Sequence, residues 1–419
     1  MKLTTPTKVQ FVTGISGYFV KDLEAVRQAA KYDPLLDNHT LPTRTQGFHQ
    51  IIVVGDCVDV IFSGAANRDP LFNASEHLPI LEKVVKPWLL TADISTFRSN
   101  SERIDANWPE LRGLGKGEGN GKNTHLHSAL RYGLSQALLA ATASVHALLP
   151  AEVIAREWRI DQHQLSTQPI DILASCHRND FLQLDRMIMK RVAILPHASF
   201  VHVDDLGPGG ATLLEFVGRV AQRVRETGPS GYHPKLHFDV YGTLGDLFPD
   251  QSELVSFMNE LRRAAEPFDL LIESPIIARS KEAQISRLAD LRRALRADAQ
   301  TPTKPVQIVA DEWCNTLSDT RAFADAEAVD YVQIKMPDLG GLHNSIDAVL
   351  YCRARGVGCC LGGSANETDV SARLTAHVAL ATCPDFLLSK PGIGGDEGVM
   401  ILMNEMGRGI AVLQGRCLN

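Results

Sequence analysis

With 419 residues, the chain is longer than one typical domain, and this length suggests a large domain and a smaller one. Hydrophobic residues make up 44% and charged residues 22%, and these values exclude a disordered chain. The sequence has no apolar run of membrane-spanning length, which argues against a membrane protein. The net charge of −7 argues against a nucleic-acid partner, and the polar start without a signal-peptide pattern predicts a cytoplasmic protein.

The first part of the chain, residues 1–168, predicts a separate α+β domain. It lacks a regular alternation of strands and helices, and it contains one long helical stretch from Thr124 to Leu148. The glycine-rich segment Gly113 to Thr124 precedes this stretch, but Lys116 stands where a phosphate-binding loop has its first glycine. We therefore interpret this segment as a loop of the first domain.

From about Pro169 onward, short apolar runs rich in β-branched residues alternate with stretches of helical periodicity. This alternation is typical of repeated βα units, and it predicts a closed TIM-type barrel at residues 169–398. Helices are expected at Ser252 to Ala265 and Glu282 to Leu295, and residues 399–419 predict a C-terminal helix, Val399 to Arg408, with a tail. The predicted strands are Ile170 to Ala174, Val192 to His197, Leu236 to Val240, Leu270 to Glu273, Val306 to Asp311, Tyr331 to Lys335, Val357 to Leu361 and Phe386 to Ser389.

Three consecutive strands of the predicted barrel end in a carboxylate. Asp239, Glu273 and Asp311 each stand where an apolar run meets its loop, at the end of the barrel where chemistry takes place. Converging carboxylates are costly to bury unless a cation lies between them, and oxygen ligands favour Mg²⁺. The pattern therefore predicts a magnesium site, and the alternative is that each acid caps a helix or pairs with an arginine.

Polar side chains on two further strands are predicted to reach the same mouth of the barrel. Gln333 and Lys335 lie two residues apart, so they share one face of a strand. A lysine beside a divalent cation and shielded from water has a lowered pKa, which suits a general base, whereas the alternative is an exposed surface lysine. His197 ends an earlier strand and would face Lys335 across the barrel, unless it is an ordinary core histidine.

A family resemblance rests on several long motifs that occur in the same order. These motifs are Ser63 to Phe72, Leu126-His127, Leu195 to His197, His237 to Thr243, Ile308 to Thr316, Val332 to Gly341, Asn366 to Asp369 and Lys390 to Gly398. They resemble the motifs of the methylaspartate ammonia-lyases, a family of the enolase superfamily, and they cover most of the chain. The resemblance implies a capping α+β domain over a modified TIM barrel, a homodimer, Mg²⁺ and often a monovalent cation such as K⁺.

The resemblance also implies a reaction and the residues that perform it. The lysine at position 335 would remove a proton next to a carboxylate, after which ammonia leaves from the neighbouring carbon of a small amino dicarboxylate such as 3-methylaspartate. His197 would contact the substrate carboxylate and serve as acid or base on the other face, and Gln333 would donate a hydrogen bond to the substrate. A lysine base with Mg²⁺ is a general pattern of the enolase superfamily.

The substrate pocket departs from the family pattern at several positions. Ile61 and Ser175 stand where the family has glutamines for the substrate amine and a carboxylate, and an apolar residue in place of an amide can change specificity strongly. Ser364 and Ala365 replace a Thr–Cys pair. Cys360 replaces a tyrosine of the pocket, whereas Leu388 matches a leucine of the family's methyl pocket.

These departures leave two other functions open. The first is a dehydratase or isomerase that keeps the metal and Lys335 but acts on another small carboxylic acid. The second is a catalytically silent protein that binds a carboxylate metabolite. The segment Gly362 to Thr368 follows the seventh predicted strand, and it either receives a carboxylate on its backbone N–H groups or is a plain strand-to-helix turn.

Overall fold

The computed structural model describes residues 5–6, 9, 11–19, 46–54, 58–60, 74–111, 124–297, 304–363, 367–389 and 394–417. Within these residues the chain forms a three-stranded sheet and a closed eight-stranded barrel, both accompanied by helices. Three of the predicted pocket residues, Ile61, Ser364 and Ala365, lie outside the described residues. So do the motif Ser63 to Phe72 and most of the glycine-rich segment Gly113 to Thr124.

The first part of the chain pairs an antiparallel sheet with helices. Its strands are β1 (Phe11–Phe19), β2 (Gln46–Val54) and β3 (Val58–Val60). Its helices are α1 (Ala74–Ile80), α2 (Lys86–Leu89), α3 (Arg98–Asp105), α4 (Ser128–His146) and α5 (Pro150–Trp158). Helix α4 confirms the long helical stretch predicted here.

Residues at both ends of helix α4 explain where the helix begins and ends. The His127 side chain accepts a hydrogen bond from the Ala129 backbone N–H and caps the first turn, and Ala147 ends the helix with a left-handed φ of 52°. Of the described helices, no single one is long and apolar enough to cross a membrane; α4 and α5 reach that threshold only as a pair bent by 92°.

All eight predicted barrel strands are present, and every neighbouring pair is parallel. They close in the order β10-β11-β4-β5-β6-β7-β8-β9, which confirms the TIM-type barrel. Parallel strands are covered on both faces, which explains why their runs are apolar throughout. The strands are β4 (Asp171–Leu173), β5 (Ile194–Ser199), β6 (Lys235–Asp239), β7 (Leu270–Glu273), β8 (Gln307–Ala310), β9 (Tyr331–Lys335), β10 (Gly358–Gly362) and β11 (Phe386–Leu388).

The helices between and after these strands surround the barrel. They are α6 (Phe181–Met189), α7 (Ala211–Thr227), α8 (Thr243–Leu247), α9 (Gln251–Ala265), α10 (Lys281–Ala297), α11 (Leu317–Asp325), α12 (Leu342–Ala354), α13 (Asp369–Thr382) and α14 (Gly395–Cys417). Helices α9 and α10 confirm the two segments predicted from periodicity. The C-terminal helix is longer than the predicted Val399 to Arg408, because its tertiary contacts override the low helix propensity of its glycines.

The order of strands in the ring determines which side chains face each other. Strands β6, β7 and β8 are consecutive, so the acids at their ends lie side by side. Strands β5 and β9 are separated by three strands on one side and three on the other, so they stand on opposite walls. His197 on β5 and Lys335 on β9 therefore approach the mouth of the barrel from opposite directions.

Candidate active site

Three buried carboxylates lie together at the carboxyl ends of the strands. Asp239 and Glu273 are the last residues of β6 and β7 and are register partners, and Asp311 follows the end of β8. Only 2%, 2% and 4% of these three residues is exposed, respectively. Because parallel strands end at the same edge, the sequence pattern is sufficient to bring them together.

This cluster carries more negative charge than the protein alone compensates. Burial raises the pKa of Asp239, and the nearby Glu273, Glu312 and Asp311 raise it further. Burial together with Asp311 raises the pKa of Glu312 to about 8. The Asp311 Oδ1 atom is buried and accepts no hydrogen bond. A bound cation would relieve this repulsion.

Lys335 is the cation that the chain itself brings to the cluster. Its Nζ lies 2.7 Å from Asp311 Oδ2, and its side chain is 22% exposed, which is too buried for a surface lysine. Burial opposes the charge of Lys335, but Asp311, Asp338 and Glu312 outweigh burial and raise its pKa. The lowered pKa predicted from the sequence concerns a lysine beside a bound divalent cation; with the protein side chains alone, the surrounding carboxylates raise the pKa instead.

Gln333 shares the inner face of β9 with Lys335, as the strand alternation predicts. Its Nε2 lies 3.3 Å from Glu273 Oε2, and its buried Oε1 accepts no hydrogen bond. In this orientation the amide offers a substrate an acceptor, whereas the resemblance implied a donor. Gly362 on the adjacent strand leaves space for this amide, since a Cβ there would lie 2.5 Å from Gln333 Oε1.

His197 is held in an unusual backbone conformation on the opposite wall. Its φ is 46°, at an irregularity in the pairing of β5 with β6 between Pro196 and Ala198. Left-handed backbone is uncommon for residues other than glycine and often occurs at functional sites. His197 Nε2 lies 3.5 Å from Glu273 Oε2, so the ring faces the carboxylates rather than an apolar core.

His237 is a site residue that the sequence reasoning missed. It is fully buried on β6, its Nε2 lies 3.1 Å from Glu273 Oε2, and its ring centre is 5.0 Å from that of His197. Burial lowers the pKa of His237. The signal was available: His237 precedes Asp239 by two residues, so both point to the same face of the strand.

A group of potential metal ligands forms around Glu273. Ligand atoms of His197, His237 and Glu273 lie within 4.8 Å of one another, and among the described residues no other trio of this kind is so tight. Of the three predicted metal ligands, only Glu273 belongs to this group; Asp239 and Asp311 face the same space at larger separations.

Three of the predicted pocket residues lie in the described part of the barrel. Ser175 donates a hydrogen bond from Oγ to the backbone oxygen of His197, 3.3 Å away. Cys360 is fully buried beside Gln333 on the neighbouring strand. Leu388 is 5% exposed and packs in the same barrel interior as Cys360 and Leu173.

Family models match nearly the whole chain. A model described as the methylaspartate ammonia-lyase C-terminus matches residues 164–415, and one described as the N-terminus of the same enzyme matches residues 4–54 and 51–159. The chain belongs to the methylaspartate ammonia-lyase family. The resemblance stated from the motifs is confirmed.

Individual relatives are similar to this chain over nearly the whole length of both proteins. Methylaspartate ammonia-lyase 1 of Carboxydothermus hydrogenoformans is 41% identical, over 97% of this chain and 96% of that protein. The structure of the Citrobacter amalonaticus methylaspartate ammonia lyase containing (2S,3S)-3-methylaspartic acid is 36% identical, with a TM-score of 0.83 over 98% of this chain and all of that chain. The Mg complex of β-methylaspartase from Clostridium tetanomorphum is 33% identical, with a TM-score of 0.81 over 98% of this chain and 99% of that chain.

A more distant protein shares the fold. Muconate lactonizing enzyme from Pseudomonas fluorescens has a TM-score of 0.58 at 14% identity, over 90% of this chain and 86% of that chain. At this identity the likeness concerns the architecture alone, and it agrees with the enolase-type barrel expected from the motifs.

The residues at the mouth of the barrel fit a divalent metal ion. Buried carboxylates from consecutive strands supply hard oxygen donors, which suit such an ion. The uncompensated charge of Asp239 and the unpaired Oδ1 of Asp311 are the observations that a cation would account for. Imidazoles beside Glu273 add further donors or orient this carboxylate.

Proposed function

We propose that this chain is a Mg²⁺-dependent carbon–nitrogen lyase that releases ammonia from 3-methylaspartate or a related amino dicarboxylate. The observation that carries the proposal is the position of Lys335 and His197 on opposite walls of the barrel, each beside a buried carboxylate of the same cluster. Membership of the family supports the reaction. The relatives' complexes with Mg and with 3-methylaspartic acid support the choice of ion and substrate.

Asp239, Glu273 and Asp311 are the proposed ligands of the ion. When bound, Mg²⁺ would stabilise the negative charge that develops on the substrate carboxylate as the adjacent proton leaves. His237 and Gln333 both contact Glu273, so they would keep this carboxylate oriented.

Lys335 is the proposed base. In its neutral form, Nζ would take the proton from the carbon next to the substrate carboxylate. The electron pair of the broken C–H bond then forms the second bond of a C=C unit, and the C–N pair leaves with nitrogen, so that an ammonium substituent departs as neutral ammonia. Of the three carboxylates that raise the Lys335 pKa, Asp311 is also a proposed metal ligand. A bound ion would take up the negative charge of Asp311, and the amine could then act as a base.

The remaining predicted residues would bind and orient the substrate. His197 would contact a substrate carboxylate and exchange a proton on the face opposite Lys335, and the free Oε1 of Gln333 can accept a hydrogen bond from the substrate ammonium. Six further positions complete the proposed pocket: Ile61, Ser175, Cys360, Ser364, Ala365 and Leu388.

The test is ammonia release from a panel of amino dicarboxylates and matched hydroxy acids, with Mg²⁺ or with EDTA. We expect ammonia from 3-methylaspartate or a close analogue, together with the unsaturated dicarboxylate, and no reaction in EDTA. Turnover of hydroxy acids with every amine inert would instead identify a dehydratase, and hydrogen exchange next to a carboxylate without elimination would identify an isomerase. No exchange of any acid in D₂O with Mg²⁺ would identify a silent binding protein.

The family also suggests three finer properties of this chain. We infer a homodimer, which light scattering after gel filtration would test, and activation by K⁺, which replacement of K⁺ by a large organic cation would test. We also infer a cytoplasmic location, and cell fractionation would test it.

A further inference from the structure

The turn that follows Lys335 folds back on the lysine. The backbone N–H groups of Asp338 and Leu339 both donate to the backbone oxygen of Lys335, at 3.0 and 3.2 Å. Gly340 continues the turn with a φ of 78°, a conformation that favours glycine. The turn of residues 336–341 therefore holds the last residue of β9 from its carboxyl side, in addition to the pairing of Lys335 with Gly362.

One carboxylate from the first part of the chain holds this turn from outside. Asp105, at the end of α3, accepts a hydrogen bond from the Gly341 backbone N–H at 3.1 Å and another from the Asn344 side chain. The same Asn344 amide donates to the Leu339 backbone oxygen at 2.9 Å. Hydrogen bonds thus run from Asp105 through Asn344 and Leu339 to Lys335.

Neighbouring side chains fix Asp105 and the turn against each other. Arg131 on α4 lies 3.5 Å from Asp105 Oδ1, and its guanidinium packs so closely on Gly340 that a Cβ there would lie 2.9 Å from Nη1. The Ser135 hydroxyl, one turn further along α4, accepts a hydrogen bond from the Leu342 N–H at 3.0 Å. Two helices of the first part of the chain therefore contact the turn.

Ser101, His343 and Asp105 have the residue types of a nucleophilic triad, but their setting is structural. Ser101 is fully buried and lies 2.8 Å from His343 Nδ1, whereas His343 Nε2 is 3.7 Å from Asp105 Oδ2. The carboxylate oxygens of Asp105 already bind the turn. A nucleophile without access to solvent has no substrate, so we interpret this trio as part of the support for Asp105.

We propose that Asp105 is a positioning residue that keeps Lys335 aimed at the reacting carbon by holding the turn 336–341. The inference rests on the proposed role of Lys335 as the base. Lysine has a long flexible side chain, so the precision of its Nζ depends on a fixed backbone, and a displacement of about 1 Å can cost about 100-fold in rate. Asp105 touches neither the cluster nor the mouth of the barrel directly.

The variant Asp105→Asn tests the proposal because it places an amide donor opposite the amide donor of Asn344. We expect kcat for ammonia release to fall about 10- to 100-fold while KM changes less than about threefold. Asn344→Ala interrupts the same connection, so its effect on kcat and that of Asp105→Asn should be strongly non-additive in the double variant.

Asp347→Asn is the matched control. Asp347 lies on α12 and accepts a hydrogen bond from Trp158 Nε1 at 2.6 Å, so it also joins the first part of the chain to the barrel, but through Trp158 and Arg98 rather than through a hydrogen bond to the turn. Its side chain is 22% exposed, close to the 15% of Asp105. This variant should lose as much thermal stability as Asp105→Asn and keep kcat within about threefold of the wild type.

Hydrogen exchange without substrate gives a readout that is independent of activity. Peptides covering residues 336–342 should exchange faster in Asp105→Asn than in the wild type or in Asp347→Asn. Unchanged exchange in these peptides, or a kcat no lower than that of Asp347→Asn, would overturn the proposal. A wild type that releases no ammonia would refute the proposed function, and the exchange result would still decide whether Asp105 holds the turn.

Discussion

Two lysines on barrel strands differ in the end of the barrel that they face. Lys335 ends β9 at the carboxylate cluster, whereas Lys235 begins β6 at the opposite end, 3.5 Å from the Tyr331 hydroxyl. We expect Lys335→Met to lower kcat about 10²- to 10⁴-fold, because the proton acceptor is lost, and Lys235→Met to change it less than about threefold. Ammonia release by both purified variants is the measurement. More than a tenth of wild-type activity in Lys335→Met would rule the lysine out as the base.

His237 supports Glu273 from inside the barrel. Since residues that orient a metal ligand typically contribute 10- to 100-fold to affinity, His237→Gln should weaken Mg²⁺ binding by about this factor. Calorimetric titration gives the affinity, and activity should recover in part at high Mg²⁺. The exposed His233, whose ring centre lies 5.0 Å from that of Phe268, provides the control His233→Gln, for which the affinity should not change. Equal affinities for the two variants would exclude this role.

Sequence could identify the residues whose strand position dictates their direction, but not those placed by distant contacts. Asp239, Glu273 and Lys335 end apolar strands, so alternation and parallel pairing were enough to predict that they meet. Asp105 could not be assigned in this way. Its partners lie 236 and 239 residues away, and nothing near Asp105 in the sequence indicates them. The raised pKa of Lys335 likewise depends on how many acids surround the amine.

At the scale of elements, two glycines of helix α14 differ in the space around them. A Cβ on Gly398 would lie 1.6 Å from the Ser389 backbone oxygen, whereas a Cβ on Gly407 would meet nothing within 4 Å. Gly398→Ala should therefore lower the apparent Tm by several degrees or prevent folding. Gly407→Ala should stabilise the helix by about 0.5–1 kcal/mol, because alanine is the better helix former. Thermal scans of both variants decide, and a Tm for Gly398→Ala as high as for Gly407→Ala would contradict the packing.

Helices α13 and α14 are joined by an ionised glutamate. Glu405 lies 3.2 Å from His377 Nε2 and 2.6 Å from Arg408 Nη2, and the His377 hydrogen bond and Arg408 lower its pKa to about 2. In the unfolded chain the pKa is about 4.3, and this difference corresponds to about 3 kcal/mol, which solvent screening of the half-buried carboxylate reduces to about 2 kcal/mol. The interaction stabilises the fold above about pH 4.3, and this stability is lost as the pH falls towards 2.

The corresponding variant is Glu405→Gln. The apparent Tm of this variant should lie below that of the wild type. The difference should be largest at pH 7 and should shrink between about pH 5 and pH 3. The exposed Glu260 offers the control Glu260→Gln, for which no such change is expected. A deficit that stays constant over this range would show that the ionised carboxylate is not the source of the stability.

Strands and helices can be predicted from the sequence where the apolar residues follow a single pattern along the segment. The barrel strands are short and apolar on both faces, so each stands out from its flanking helices. Helix α14 was only partly predicted, as Val399 to Arg408, because its five glycines interrupt the pattern. Those at Gly398 and Gly409 are explained by packing, since a Cβ there would lie within 3 Å of Ser389 or Leu380. Helix propensity depends on the local sequence, so it does not indicate such tertiary contacts.

At the scale of the whole molecule, a bound ion should stabilise the fold. The side chains proposed to bind the ion come from three strands of one barrel, so the complete site exists only in the folded chain. An ion that binds only the folded state raises the free energy of unfolding by about 2.7 kcal/mol when its concentration is 100 times its Kd. Mg²⁺ should raise the apparent Tm of the wild type, EDTA should reverse this, and Asp239→Asn should respond much less. Differential scanning fluorimetry is sufficient. Equal responses of the two proteins would place the ion elsewhere.

The pairing of β11 with β4 has a consequence for when activity can arise. Phe386–Leu388 closes the ring against Asp171–Leu173, so the wall that opposes His197 to Lys335 is complete only after β11 has been synthesised. A nascent chain that ends before Phe386 would already carry every proposed acid and the lysine, but its β4 and β10 would lack the strand that joins them. Closure of the ring therefore waits for the last strand of the barrel to be synthesised.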